Sequence, residues 1–174
     1  MVVMALGRDY DNQDCAMARG LELVGERWTL LIVRDAFYGV RRYSDFLAHL
    51  EIPRAVLADR LHTLTESGVL SKEASQGSSR AEYVLTTMGL GLWPTLAALS
   101  AWATEFLRDG PAHRYYTHAA CGAEMVDRAS CPACGVRVPV ADIVTGPGPA
   151  ADRTRTDLVS VAMLQPRRLL EPIR

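Results

Sequence analysis

The chain has 174 residues, 49% of them apolar and 22% charged, which is one domain's worth of core plus an appendage and excludes wholesale disorder. No run of about 18 apolar residues occurs, so no membrane-spanning helix is expected. The 19 basic and 20 acidic side chains sum to −1, which excludes a generally basic coat for nucleic acid and leaves room only for a local patch.

The opening MVVMALGRDYD lacks a basic flank and a long apolar run, so no secretory signal is expected and the expected location is cytoplasmic, without a membrane partner. Met17, Leu21 and Val24 then fall on one helical stripe that Gly25 ends. Residues 27–38 are apolar on nearly all sides and read as a buried central helix closed by Gly39. Ser44-Asp45 can cap a short helix to Leu50. Ile52-Pro53 opens a longer helix, with Leu57, Leu61 and Leu64 inward and Arg54, Ala55, Ala58, Asp59 and His62 outward. Residues 69–74 and 82–85 alternate as strands around the polar Gln76-Gly77-Ser78-Ser79-Arg80, which predicts a β-hairpin with a flexible tip.

Thr86 or Thr87 caps a helix to about Leu107 that Pro94 kinks or splits. It has two apolar faces, Leu92, Leu96, Leu99 and Phe106 on one and Trp93 with Ala97 on another. A helix with two such faces needs a second partner, which suggests a dimer. Gly110-Pro111 marks a boundary. The expected organisation is a winged-helix DNA-binding and dimerisation domain at 1–110, a zinc-ribbon-like segment at 111–145, and a linker with tail at 146–174. The tail has apolar content without a clear period and is not placed. The fold class is mainly α with a small β-hairpin: a winged helix-turn-helix plus a small zinc ribbon.

A helix that follows a tight turn can enter the major groove with its N-terminal residues at base edges. Arg54, Ala55 and Ala58 stand at that end, with Arg60 on its flank. Arg41, Arg42 and Ser44 precede or open the short helix, where the first half of such a motif crosses the phosphate backbone, and Arg80 sits at the hairpin tip. Arg41 and Arg42 can equally cap the preceding helix, and Arg60 can pair with Asp59 or Glu66. His49 and His62 are expected to be solvated. Residues 1–110 carry 11 basic and 14 acidic side chains, net −3. Affinity for DNA would therefore rest on a few placed arginines.

His118-Ala-Ala-Cys121-Gly and Cys131-Pro-Ala-Cys134-Gly form two facing knuckles. The two-residue gap lets both ligands of a pair reach one ion, and Gly122 and Gly135 permit the turns that aim backbone N–H groups at sulfur. One His and three Cys make a closed tetrahedral set of the structural zinc type, without room for a catalytic water. Val126 and residues 136–140 are the expected strands around it. A redox Cys-x-x-Cys lacks its βαβ setting, an iron site would want four cysteines, and His113 competes with His118 for the fourth position.

Taken in order, the pieces over residues 15–102 resemble the HxlR family of bacterial winged-helix transcriptional regulators, relatives of the MarR group. The matching residues are Cys15, Gly25 through Ile32 (GERWTLLI), Gly39 with Arg42 through Phe46 (RYSDF), Val56 through Leu61 (VLADRL), Leu64, Gly68, Tyr83 through Thr86 (YVLT) and Trp102. The resemblance implies homodimers, built by the N-terminal and long C-terminal helices, on double-stranded operator DNA with inverted half-sites. Two positions depart: Pro53 stands where the family usually has serine, and Ser78-Ser79 where its wing often has prolines. In part of the family a cysteine at the place of Cys15 senses electrophiles or oxidants. The nearby helix N-terminus would favour its thiolate, while Asp9, Asp11 and Asp14 oppose it. The alternative is a small residue buried in the dimer interface.

The expected function is therefore a DNA-binding transcriptional regulator, a repressor more often than not in this family, controlled by a small-molecule or oxidant effector. The alternative is a protein-interaction module using the ribbon and tail. An enzyme is not expected, because there is no HExxH, nucleophile elbow, phosphate loop or open metal position.

Overall fold

The computed structural model describes residues 10, 12–74, 81–125 and 127–174. The expected hairpin tip with Arg80, and the expected strand residue Val126, lie outside these.

Helix α1 spans Ala16–Val24, and its first turn is capped by the Cys15 sulfur, which accepts from the Ala18 N–H. Helix α2, Thr29–Phe37, is the central helix, with Ile32, Val33, Ala36 and Phe37 buried. Helix α3 is Tyr43–Leu50 and α4 is Arg54–Glu66. Strands β1 (Leu70–Ala74) and β2 (Ala81–Leu85) pair antiparallel from Leu70 opposite Leu85 to Ala74 opposite Ala81. The Tyr83 N–H donates to the Arg41 carbonyl at 2.8 Å, which pins the base of this wing to the loop before α3.

The last winged-helix helix is split: α5 runs Thr87–Leu90 and α6 runs Trp93–Phe106. Thr86 caps α5, accepting from the Gly89 N–H and donating to the Gly68 carbonyl at 2.6 Å. Pro94 lies in the first turn of α6, where its missing N–H costs nothing.

The remainder forms two small sheets. Strands β3 (Arg114–His118), β6 (Ile143–Pro147) and β7 (Arg167–Arg168) make an antiparallel sheet with β6 in the middle, while β4 (Ser130–Cys131) pairs with β5 (Val136–Arg137). After β5 the chain forms a 3-10 turn at Val140–Asp142 rather than a strand running on to residue 140. Helix α7 (Leu158–Ala162) packs on α3.

The boundary expected at 145/146 falls inside β6, and the tail has a definite place. Val159, Met163, Leu169 and Ile173 are buried in the same core as Ile32, Phe37 and Leu57. The Leu170 N–H donates to the Phe37 carbonyl (2.7 Å) and the Ile173 N–H to the Gly39 carbonyl (3.0 Å). Gly39 has φ +91°, and a Cβ there would lie 1.8 Å from the Glu171 carbonyl oxygen. The glycine that ends α2 is thus also the seat of the tail. At the other seam Trp93 packs at a tilt between Phe37 (5.1 Å) and Tyr116 (5.9 Å) and donates its indole N–H to the Arg128 carbonyl.

Candidate nucleic-acid interface and metal centre

Helix α4 starts without a side-chain cap, and Pro53, at φ −57°, leads into it. Its carbonyl accepts the Leu57 N–H at 3.0 Å. Leu57, Leu61 and Leu64 are buried, which turns Arg54, Ala55 and Ala58 outward, and all three are exposed. The Tyr43 hydroxyl donates to the Arg54 carbonyl at 2.9 Å and so fixes α3 against the start of α4. Ser44 is exposed at the head of α3.

Arg41 and Arg42 lie 3.7 and 3.9 Å from the Glu82 carboxylate of β2. Arg60 differs from the outward group: its side chain is only 12% exposed, ion-paired with Asp59 (2.6 Å) and Glu26 (3.7 Å). The structure therefore presents Arg54, Ala55, Ala58 and Ser44 on the surface. It sets Arg41 and Arg42 beside the wing and holds Arg60 toward the loop before α2. Arg80 lies outside the described residues.

The four metal-ligand candidates come together. The donor atoms of His118, Cys121, Cys131 and Cys134 all lie within 4.8 Å of one another. The His118 Nδ1 is 3.4 Å from the Cys121 sulfur and 3.6 Å from that of Cys134, and the Cys121 sulfur is 3.5 Å from Cys131 and 3.4 Å from Cys134. A tetrahedral zinc with bonds of about 2.3 Å to sulfur and 2.0 Å to nitrogen separates its ligands by roughly 3.5–3.8 Å, so the donor set fits that ion. His118 brings its Nδ1 from the end of β3, and His113 is not in the cluster.

Gly122 and Gly135 have φ of 71° and 66°. Their N–H groups close the two turns onto the carbonyls of His118 (2.8 Å) and Cys131 (2.9 Å) instead of pointing at sulfur. The N–H that reaches sulfur is that of Cys134, on Cys131. Burial resists ionisation of Cys131, but this N–H and the surrounding Cys121, His118 and Cys134 draw its pKa down to about 6. Hydrogen bonding with Cys121 and Cys131 pushes Cys134 up to about 11. Crowded donors around one readily ionised sulfur are the chemistry of a cation site.

His62 is exposed as expected, but His49 is not solvated. Its Nδ1 lies 3.2 Å from both the Asp157 carboxylate and the Ser160 hydroxyl, and its Nε2 is 3.8 Å from Asp35. Asp35 is fully buried on α2, and Arg34 donates to it at 2.7 and 2.9 Å. Arg155 reaches the His49 carbonyl at 2.8 Å. Sequence reasoning missed this cluster, because its partners lie more than a hundred residues apart. The one local signal was the adjacent Arg34-Asp35 pair inside a helix whose other residues are nearly all apolar.

Cys15 is exposed in the single chain, beside an apolar face formed by Met17 (75% exposed) and Leu21 of α1. Along α6 the two faces divide differently from the sequence reading: Leu96 is buried with Trp93 and Ala97, while Leu99 and Phe106 are exposed together with Trp102. Among the described residues no helix is long and apolar enough to cross a membrane.

Comparison with known proteins agrees with this geometry. The family model described as HxlR-like helix-turn-helix matches residues 23–111. The HTH-type transcriptional regulator Rv3095 of Mycobacterium tuberculosis is 38% identical over 152 residues, spanning 86% of this chain and 94% of its own. The HTH-type transcriptional regulator YvaP of Bacillus subtilis is 34% identical over 91 residues, covering 51% of this chain and 84% of its own. Among solved structures, the transcription factor PA1607 superposes with a TM-score of 0.55 at 36% identity, over 57% of this chain and 70% of that one.

Proposed function

The chain belongs to the HxlR-like helix-turn-helix family of transcriptional regulators, and on that premise we propose that it acts as a homodimeric repressor on operator DNA with inverted half-sites. The observation that carries this reading is the exposed Arg54-Ala55-x-x-Ala58 face of α4, held by three buried leucines in a winged-helix order. Small alanines let the helix approach base edges, and Arg54 is positioned for a guanine or a phosphate. Ser44, Arg41 and Arg42 serve the flanking phosphates, with Arg41 and Arg42 exchanging Glu82 for DNA, and Arg80 extends the contact from the wing. Arg60 works at the flank by holding α4 to Glu26. The exposed apolar faces of α1 and α6 supply the dimer contact.

His118, Cys121, Cys131 and Cys134 would hold a structural zinc, with all four positions filled by protein. Its role is to fasten a segment too small to have its own core, whose Met125 and Val138 are buried in the shared one. Residues 111–145 are thus a zinc-bearing unit docked on the winged helix rather than a free module. At Cys15, whose sulfur caps α1 next to the dimer face, oxidation would alter subunit contact. A Cys15→Ser variant that still released DNA on diamide treatment would remove that form of control.

The test is fluorescence anisotropy with the DNA upstream of the gene, in the presence of excess nonspecific competitor. Sequence-specific binding that falls with salt is the expected result. Equal affinity for any duplex would overturn the reading in favour of a protein-interaction module.

A further inference from the structure

A cleft of about 430 Å³ opens between α2, α6 and the C-terminal sheet. Its charged lining is unbalanced: Arg34, Arg108, Arg114, Arg128 and Arg155 face a single carboxylate, Asp152. Two of these cations are already neutralised, Arg34 by Asp35 at 2.7 Å and Arg155 by Asp157 at 3.0 Å and Glu51 at 3.1 Å. Arg114 instead donates to the Met163 carbonyl (3.1 and 3.2 Å), and among the described residues neither it nor Arg128 has a carboxylate within ion-pair distance.

Both are nevertheless held in place. The Arg114 guanidinium stands 5.3 Å over the Tyr38 ring and that of Arg128 4.8 Å over Tyr116. The two rings are buried, with their hydroxyls 3.1 Å apart beneath the cleft. A guanidinium held over a ring can still donate from its edge; Arg114 gives two of its five N–H groups to the Met163 carbonyl and keeps three. Ordered donors without a counter-charge, in a concave site of small-molecule size, fit an anion. Ala103 and Leu164 add apolar wall, which suits a ligand with an apolar body more than an inorganic ion.

We propose that this cleft binds a small organic carboxylate, the carboxylate on Arg114 and Arg128 and the apolar body against α6. An occupant touches α6, whose outward side carries the exposed apolar face, and the C-terminal sheet together. Its effect on DNA binding rests on the regulator reading; the binding itself does not.

The test is calorimetric titration of the full-length zinc-loaded protein with 2-naphthoate, with 2-naphthamide and inorganic phosphate as controls. One carboxylate per chain should bind while the amide gives no heat. Arg114→Gln and Arg128→Gln should each weaken binding by about tenfold, the usual worth of a charged hydrogen bond. Thr104→Trp, at an exposed rim position of α6, should block binding with unchanged thermal stability and unchanged affinity for DNA in the absence of ligand. The proposal fails if naphthoate does not bind at millimolar concentration, if naphthamide or phosphate binds as well, or if Thr104→Trp leaves binding intact. It also fails if the arginine variants lose DNA affinity and salt dependence without ligand, for the cleft is then a phosphate contact. Carboxylate binding by a protein that does not bind DNA specifically would keep the cleft and discard the regulator reading.

Discussion

Gly39→Ala puts the docking of the tail to a quantitative test. The substitution acts twice. At φ +91° any side chain is strained, and the new Cβ would sit 1.8 Å from the Glu171 carbonyl oxygen, a backbone atom that cannot swing away. The left-handed conformation alone costs about 1–2 kcal/mol. Expelling the tail adds the burial of Ile173 at about 1.5–3 kcal/mol and the Ile173-to-Gly39 hydrogen bond at about 1 kcal/mol. The full chain should therefore lose about 4–6 kcal/mol, enough to lower Tm by about 10 °C or more in a protein of this length. In a chain ending at Leu170 the tail contribution is already gone, and the same substitution should cost only about 1–2 kcal/mol. Urea unfolding followed by tryptophan fluorescence, to which Trp93 at the seam between the halves contributes with Trp28 and Trp102, reads both. Equal destabilisation in the long and short chains would refute the reasoning, because it would mean that the tail does not rest on Gly39.

Other expectations follow from the sites. Arg54→Ala should weaken specific DNA binding by about 10- to 100-fold with little change in Tm, measured by anisotropy across salt concentrations; an unchanged affinity would take Arg54 out of the interface. Wild-type protein without a histidine tag should carry about one zinc per chain by elemental analysis, and Cys131→Ser less than about half of that; full zinc in the variant would remove Cys131 from the ligand set. Phe106→Glu on α6 should convert a dimer to monomer by sedimentation, and a persistent dimer would place the interface elsewhere. Against the cost of burial, hydrogen bonds from Ser160, Arg155 and His49 hold the Asp157 carboxyl below the usual carboxylate range. A depressed folded value stabilises fully above the unfolded pKa of about 4, and that stabilisation is lost as pH falls through the folded value. Asp157→Asn should thus narrow the stability difference between pH 7 and pH 3, and an unaltered difference would show that the network contributes nothing.

The sequence by itself determined the features that repeat at short range. Helical stripes placed Leu57, Leu61 and Leu64 inward and so aimed Arg54, Ala55 and Ala58 outward. The Pro94 break, the alternating wing strands and the two ligand-x-x-ligand-Gly knuckles depend on neighbours within a few residues, and each stands in the structure where its local chemistry requires. Tertiary structure alone decided what pairs over long separations. Nothing near Arg60 announces that Glu26 will hold it, and nothing near His49 announces Asp157. The tail has no period of its own, because a strand of two residues and a helix of five take their order from the sheet and the Gly39 seat they meet. The charge account shows the same division. Charge counting predicted an acidic first 110 residues and leaves 8 basic and 6 acidic side chains, net +2, for the remainder, but only packing gathered Arg114 and Arg128 from that remainder over the Tyr38–Tyr116 pair, because a buried ring offers its face only on a surface that two distant segments build together.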